Sequence, residues 1–376
     1  MLLSSGAITL NKQGFVRFLS RIDRQTRLRS IRTGVTALRN LLAYPHEDGR
    51  GILSSCPDEE AVSLHKDVLL SELDQILEAK TIERANYYVK RLEKGIERVK
   101  TGKINDINLS RWKEYSEILT DSLWVMDKRD SSGAHLASYW GNFIPQIPHQ
   151  MMMRYTKKGD WVLDAFAGGG TTLIECRRLG RNGIGIELLP KVAREARNLI
   201  EKEGNPHGVI SDLRTGDSRS LNLWPILLDH SQEQVQLLIM HPPYHDIIKF
   251  SNNGRDLSNA PTTEDFLKEF GEVVENAGSF LEKDRYLVLV IGDKYSKGDW
   301  IPLGFHCMNE ILKRGYTLKS IVVKNFEDTR GKRAQKELWR YRALVGGFYV
   351  FKHEYVMVFR KTGCSAARMG GKRRPL

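Results

Sequence analysis

Residues 161–187, WVLDAFAGGGTTLIECRRLGRNGIGIE, constrain this chain more than any other stretch. Trp161, Val162 and Leu163 form a short apolar run that stops at Asp164, as a buried parallel strand does. Residues 165–170 follow as a loop without bulk, where the backbone can come close to a ligand. Thr171 and Thr172 open a helix that carries Leu173, Ile174 and Cys176 inward and ends at Gly180, and a second strand then runs to Glu187. A loop on a helix N-terminus offers free N–H groups and a positive dipole end to an anionic group. An acid ending the next strand is placed to accept hydrogen bonds from ribose hydroxyls. The glycines do not fit GxGxxG, and no GKS or GKT is present. On residues alone this is a βαβ nucleotide site of unspecified kind, or a strand–turn–helix whose glycines serve only packing.

The rest of the chain supplies the context. Its 376 residues, 41% hydrophobic and 28% charged, suit one large globular domain plus a smaller one. A formal net charge of +12 points to a polyanionic partner. The four cysteines, Cys56, Cys176, Cys307 and Cys364, make no CxxC pair and no metal spacing. They read as reduced intracellular thiols, with no metal expected. No apolar run reaches membrane-spanning length and the N-terminus lacks a signal-peptide layout, so the expected location is the cytoplasm.

Residues 1–45 are basic, and Arg17, Arg21 and Arg24 would share one helix face. That face is either a phosphate-binding stripe or a solvated surface. From Pro57 the pattern predicts two long helices packed as a hairpin. Leu69, Leu73, Ile76 and Leu77 form one apolar stripe, and Val89, Leu92, Ile96 and Val99 another. This helical part could recognise nucleic acid, dimerise or simply support. Beyond Glu187 the pattern predicts a helix over 190–201, strands over 235–240 and 286–293, helices over 262–281 and 302–314, and a closing antiparallel pair over 318–324 and 348–361.

DAFAGGGTT (residues 164–172) resembles the DPFAGSGTT motif of amino-group methyltransferases that use S-adenosylmethionine. HPPY (residues 241–244) resembles that family's second signature, (D/N/S)PP(Y/F/W). The resemblance covers residues 143–361. It implies an α/β fold: a Rossmann-like mixed seven-strand methyltransferase sheet with helices on both faces, preceded by a smaller helical domain. The expected division is 1–133 for the helical part, 134–362 for the methyltransferase domain and 363–376 for a disordered basic tail.

The resemblance also implies roles. Asp164, Phe166, Gly168, Gly170, Thr171, Thr172 and Glu187 are the expected cofactor residues. Phe143, Ile144 and Pro145 are candidates for packing on the cofactor's methionine end, or form a linker into the domain. Asp217, preferred over Asp212, is expected to take the adenine amino group, for which a carboxylate is a suitable acceptor. The target amine's lone pair is delocalised into the base ring, so it is a poor nucleophile. Two acceptors draw it toward a tetrahedral shape: the side chain of His241 and the carbonyl of Pro242. Pro242 and Pro243 hold that carbonyl rigidly, and Tyr244 stacks on a base flipped out of the duplex. His241 departs from the family's Asp, Asn or Ser. A neutral imidazole still has one acceptor nitrogen, so activity is expected to fall as pH drops through the imidazole pKa. The departure also removes the usual clue to cytosine or adenine.

Two segments are candidates for holding nucleic acid, one after HPPY with Lys249 and Arg255, the other before the last strand with Arg330, Lys332, Arg333, Trp339 and Arg340. Cations with interleaved aromatics suit phosphate contact and base stacking; the alternative is an exposed charged loop. The whole reads as a DNA cytosine-N4 or adenine-N6 methyltransferase acting in modification or restriction-modification, with duplex DNA and a cognate restriction or defence protein as partners. An RNA guanine-amine methyltransferase and a noncatalytic nucleic-acid-binding protein stay open as alternatives.

Overall fold

The structure, a computed structural model, describes residues 6–44, 51–53, 61–136, 141–296, 298–326 and 336–362. The chain divides into two compact units, Met1–Glu117 and Ile118–Leu376.

The first unit holds β1 (Ala7–Asn11), α1 (Lys12–Asp23), α2 (Leu28–Ala43), β2 (Ala61–His65), α3 (Lys66–Leu77) and α4 (Ile82–Glu97). Phe15, Leu19, Ile31, Val35, Leu38, Leu73, Ile76 and Val89 meet in one buried core. Asn11 caps α1 by accepting from Gly14 N at 2.7 Å, and Thr81 caps α4 by accepting from Arg84 N at 3.2 Å. The expected all-helical hairpin needs correction. In residues 61–65 Leu64 is buried while Ser63 is exposed, and this alternating segment pairs antiparallel with β1, so the helix begins at Lys66. Arg17, Arg21 and Arg24 are exposed.

The second unit runs β3 (Leu123–Trp124), α5 (Gln146–Tyr155), β4 (Trp161–Asp164), α6 (Thr171–Leu179), β5 (Asn182–Glu187), α7 (Pro190–Lys202), β6 (Ser211–Thr215), α8 (Trp224–Asp229) and β7 (Val235–Met240). It continues with α9 (Thr263–Ser279), β8 (Leu281–Ile291), a small hairpin of β9 (Lys294–Ser296) and β10 (Asp299–Ile301), α10 (Leu303–Leu312), β11 (Tyr316–Asn325), α11 (Lys336–Gly346) and β12 (His353–Lys361).

One sheet orders these strands β3-β11-β12-β8-β7-β4-β5-β6. The run from β8 to β6 is parallel, and β12 lies antiparallel to both β8 and β11. This is a Rossmann-like mixed sheet with helices on both faces. It has eight strands rather than the expected seven, because two-residue β3 adds itself in parallel to the edge of β11. The same pairing moves the domain boundary. Residues 123–124 belong to the large sheet, so the second unit starts at Ile118 and not after Gly133.

Val162, Leu163, Leu237, Leu238, Val288 and Leu289 are at most 1% exposed, which is why these strands read as continuous apolar runs. Phe266, Phe270 and Val273 of α9 pack in one cluster with Leu163, Leu238 and Leu289. Leu173 and Ile174 of α6 form another with Ala193, Ala196 and Ile200 of α7. Cys176 and Cys307 are buried free thiols, while Cys56 and Cys364 lie outside the described residues. Among the described residues no helix is long and apolar enough to cross a membrane. Strand order reverses at β4, which has β5 on one side and β7 on the other. In open α/β sheets a ligand crevice forms at such a switch point, outside the carboxyl ends of the strands.

Candidate active site

The carboxyl ends of β4 to β8 open on one cavity of about 750 Å³. Its wall includes Phe143, Ile144, Phe166, Gly168, Thr171, Glu187, Asp217 and every residue of HPPY.

Asp164, Gly170, Thr172 and Pro145 are not among the residues that line it. Asp164 is 1% exposed. It accepts from Phe166 N at 2.9 Å and from Thr172 Oγ1 at 2.5 Å, so it ties the loop to the first turn of α6. Burial pushes its carboxyl up to about 6, against the pull of these two donors. Gly170 sits at φ 81° as the N-cap of α6, a conformation that costs an L side chain roughly 1–2 kcal/mol. Pro145 precedes the first turn of α5. These residues shape the loop that others present.

Glu187 closes the loop from the far side. Its Oε2 accepts from Gly168 N at 3.0 Å and its Oε1 from Leu189 N at 2.8 Å. Burial raises its carboxyl, and these two N–H groups hold it back. Each oxygen keeps lone-pair capacity for a further donor. Asp217 lines the cavity, whereas Asp212 is engaged with Arg214 and His230 and does not. The Asp217 carboxylate accepts from Arg219 N at 3.0 Å and from Arg219 Nη2 at 2.9 Å.

HPPY leaves β7 at Met240 and bends into the same cavity. The His241 ring meets Phe143 edge-on at 5.0 Å and Tyr244 at 5.7 Å. Burial pushes its imidazole down to about 4, with the Glu354 charge opposing and the Lys324 charge assisting. It is therefore neutral across the physiological range, and the acid loss expected near the ordinary imidazole pKa moves to about 4. His241 Nε2 lies 3.3 Å from Tyr244 Oη, which donates to Glu354 Oε2 at 2.9 Å. Lys324 Nζ donates to Glu354 Oε1 at 3.1 Å. Burial and the Glu354 carboxylate raise the Tyr244 hydroxyl well above its ordinary pKa, so it stays protonated. The Tyr244 ring rests on Gly292, where a Cβ would stand 2.9 Å from Tyr244 Cε2. After the motif, buried His245 accepts from Lys294 Nζ at 2.6 Å, and Lys294 also reaches Asp246 Oδ1 at 2.7 Å, bracing the turn.

The nucleic-acid candidates separate. Arg255 and Trp339 line the cavity; Lys249 and Arg340 are exposed and do not. Arg330, Lys332 and Arg333 lie outside the described residues. Trp339 and Arg340 stand on α11, where a loop was expected, because Lys, Glu, Leu, Arg and Ala in KELWRYRALVG are strong helix formers. The Arg342 guanidinium lies 5.3 Å from the centre of the Trp339 ring.

Sequence reasoning missed several lining residues. Lys324 and Glu354 are an opposite-charge pair on two neighbouring strands, and only strand register reveals it. Arg129 carries no motif. Its Nη1 donates to Phe143 O at 2.8 Å, while its buried Nε and Nη2 have no partner among the described residues, and burial lowers its pKa. Asn142 accepts from Gly169 N at 3.2 Å. Away from the cavity, Asp130, His135 and Glu175 bring ligand-type atoms within 4.8 Å of one another, but Arg178 already pairs with Asp130 and Glu175.

Fold and site together define a Rossmann-like α/β domain with one ligand cavity at the carboxyl ends of its strands. A family model described as DNA methylase matches residues 73–198. The chain is 44% identical over 52 residues to the Type II methyltransferase M.MjaII of Methanocaldococcus jannaschii, covering 14% of this chain and 10% of the relative. It is 33% identical over 82 residues to the Type II methyltransferase M.Cfr9I of Citrobacter freundii, covering 22% and 26%. It is 34% identical over 90 residues to the Type II methyltransferase M2.DpnII of Streptococcus pneumoniae, covering 23% and 34%. The chain thus spans about a third or less of the length of these relatives. It resembles the amino-group DNA methyltransferases, and the cofactor this implies is S-adenosylmethionine. The cavity fits that cofactor: it joins a glycine loop, two carboxylates suited to ribose and adenine donors, and the guanidinium-bearing Arg129.

Proposed function

We propose that this chain transfers the methyl group of S-adenosylmethionine to an exocyclic amine of a DNA base, cytosine N4 or adenine N6. The observation that carries the reading is that HPPY and the glycine loop with Glu187 face one cavity at the carboxyl ends of adjacent strands. Bound there, the cofactor supplies an electrophilic methyl on a sulfonium.

The chain's own residues do the rest. Glu187 accepts from the ribose hydroxyls, Asp217 from the adenine amine, and Phe143, Ile144 and Phe166 enclose the apolar parts. Arg129 receives the methionine carboxylate. His241 and the Pro242 carbonyl would each accept a hydrogen bond from the target amine, which moves lone-pair density onto its nitrogen as it takes the methyl; the C–S bonding pair stays with the cofactor's sulfur and the amine's surplus proton leaves to solvent. Tyr244 presents its ring to the flipped base. Holding both reactants in line removes most of the entropic barrier. Arg255 and Trp339 contact the nucleic acid at the cavity, with Lys249 and Arg340 on the exposed surface outside it. The relatives' Type II names support a modification role beside a cognate restriction partner.

The test is methyl-labelled cofactor offered duplex DNA and bulk RNA, with nucleosides then resolved by mass spectrometry. Label in DNA cytosine or adenine is the expected outcome and names the base. Label only in RNA guanine, or none with the cofactor bound, overturns the reading.

A further inference from the structure

We infer that Lys324, Glu354 and Tyr244 fix the tautomer of His241, so that Nε2 carries the proton and Nδ1 is the acceptor offered to the target amine. The identity of the donor to Nδ1 rests on the methyl-transfer reading; the tautomer does not.

The argument is a proton count along one chain of contacts. Lys324 is 5% exposed and Glu354 is 8% exposed, and Lys324 Nζ lies 3.1 Å from Glu354 Oε1. Glu354 is the carboxylate partner of this ion pair, and a carboxylate accepts and cannot donate. The contact at 2.9 Å between Glu354 Oε2 and Tyr244 Oη therefore takes the tyrosine's one hydroxyl proton. Tyr244 Oη is left with lone pairs only. The nitrogen 3.3 Å from it, His241 Nε2, must then supply the hydrogen. A neutral imidazole has one N–H, so Nδ1 is bare. Among the described residues no group hydrogen-bonds Nδ1.

This chain has a problem that an Asp at the same position would not have. An Asp carboxylate is an acceptor whichever way it turns, whereas an imidazole with the wrong tautomer presents a donor to a donor and repels the amine. The cost of placing two buried donors face to face makes the choice between tautomers decisive. Lys324 and Glu354 are positioning residues here. They act on the amine only through Tyr244 and His241.

The experiment is two-bond proton–nitrogen correlation on the full chain labelled with 15N-histidine, near neutral pH, with the His241 signals assigned by their loss in His241→Asn. The inference expects a protonated Nε2 and a bare Nδ1. A protonated Nδ1, or an even mixture, overturns it in the wild-type protein alone, with no variant required to fold. Tyr244→Phe keeps the ring but removes the oxygen that Nε2–H reaches. It is expected to mix the tautomers and lower kcat roughly 10-fold to 100-fold, the scale on which outer partners of a functional imidazole act, with KM for DNA little changed. Unchanged tautomer and kcat in that variant also overturn the inference. Wild-type protein that shows the expected tautomer but transfers no methyl sinks the methyl-transfer reading and leaves the tautomer standing.

Discussion

Lys324 and Glu354 stand opposite each other in the register of β11 and β12, and their side chains meet at 3.1 Å in the wall of the cavity. Two buried charges cost desolvation that a hydrophobic pair does not. Their value to the protein lies in what Glu354 does to Tyr244.

Breaking this pair from one side is expected to destabilise strongly. Lys324→Met leaves the Glu354 charge buried without its cation and should cost about 3–5 kcal/mol. Lys324→Met combined with Glu354→Met should recover most of that loss. Urea unfolding of the two variants checks it: a double variant as unstable as the single one contradicts the account.

The pair also marks where sequence reading stops. The central strands and the glycine loop were legible because buried parallel strands are continuous apolar runs and the loop carries its own motif. Asp164 and Thr172 were legible as residues, yet their place was not. Spacing does not say whether a carboxylate turns to the ligand or to a threonine eight residues on. Lys324, Glu354 and Arg129 come to the cavity from separate segments, so no local pattern contains them. In α11, helix propensity competed with a charge pattern that reads as a loop, and propensity won.

Arg129 is expected to set affinity for the cofactor's carboxylate. A hydrogen-bonded charge pair is worth about 1.5–3 kcal/mol, so Arg129→Gln should weaken S-adenosylmethionine roughly 10-fold to 100-fold. The same variant should bind the decarboxylated analogue as wild type does. Calorimetric titration of both ligands checks it, and equal losses for the two would remove Arg129 from this role.

The dependence of stability on pH should carry two opposed signatures. His241 titrates at about 4 in the folded chain against an ordinary 6.5, through burial and Lys324, with Tyr244 and Glu354 also facing it. As pH falls through that window the unfolded chain takes up the proton first, so folding is weakened by about 3 kcal/mol. Asp164 titrates at about 6 against an ordinary 3.8, so the folded chain takes up its proton first. Its contribution is full below 3.8 and lost as pH rises through about 6, again about 3 kcal/mol. Relative to wild type, Asp164→Asn should lose stability on acidification and His241→Asn should gain it. Unfolding curves at about pH 7 and about pH 4.5 decide; the reverse order refutes both assignments.

Gly292→Ala should uncouple binding from transfer. Its Cβ would stand 2.9 Å from Tyr244 Cε2 and displace that ring. Cofactor affinity is expected to hold while kcat falls roughly 10-fold or more, since small misplacements at a reacting centre are costly. Unaltered kcat would mean that Tyr244 position is not limiting.

The most direct measurement of the central claim is single-turnover methyl transfer to duplex DNA by wild type, His241→Asn and His241→Ala, each saturated with cofactor. The account predicts that Asn, which the family uses at this motif position and which keeps an acceptor, retains transfer, while Ala lowers it by roughly 100-fold or more. An alanine variant as fast as wild type would contradict the claim that this side chain accepts from the target amine.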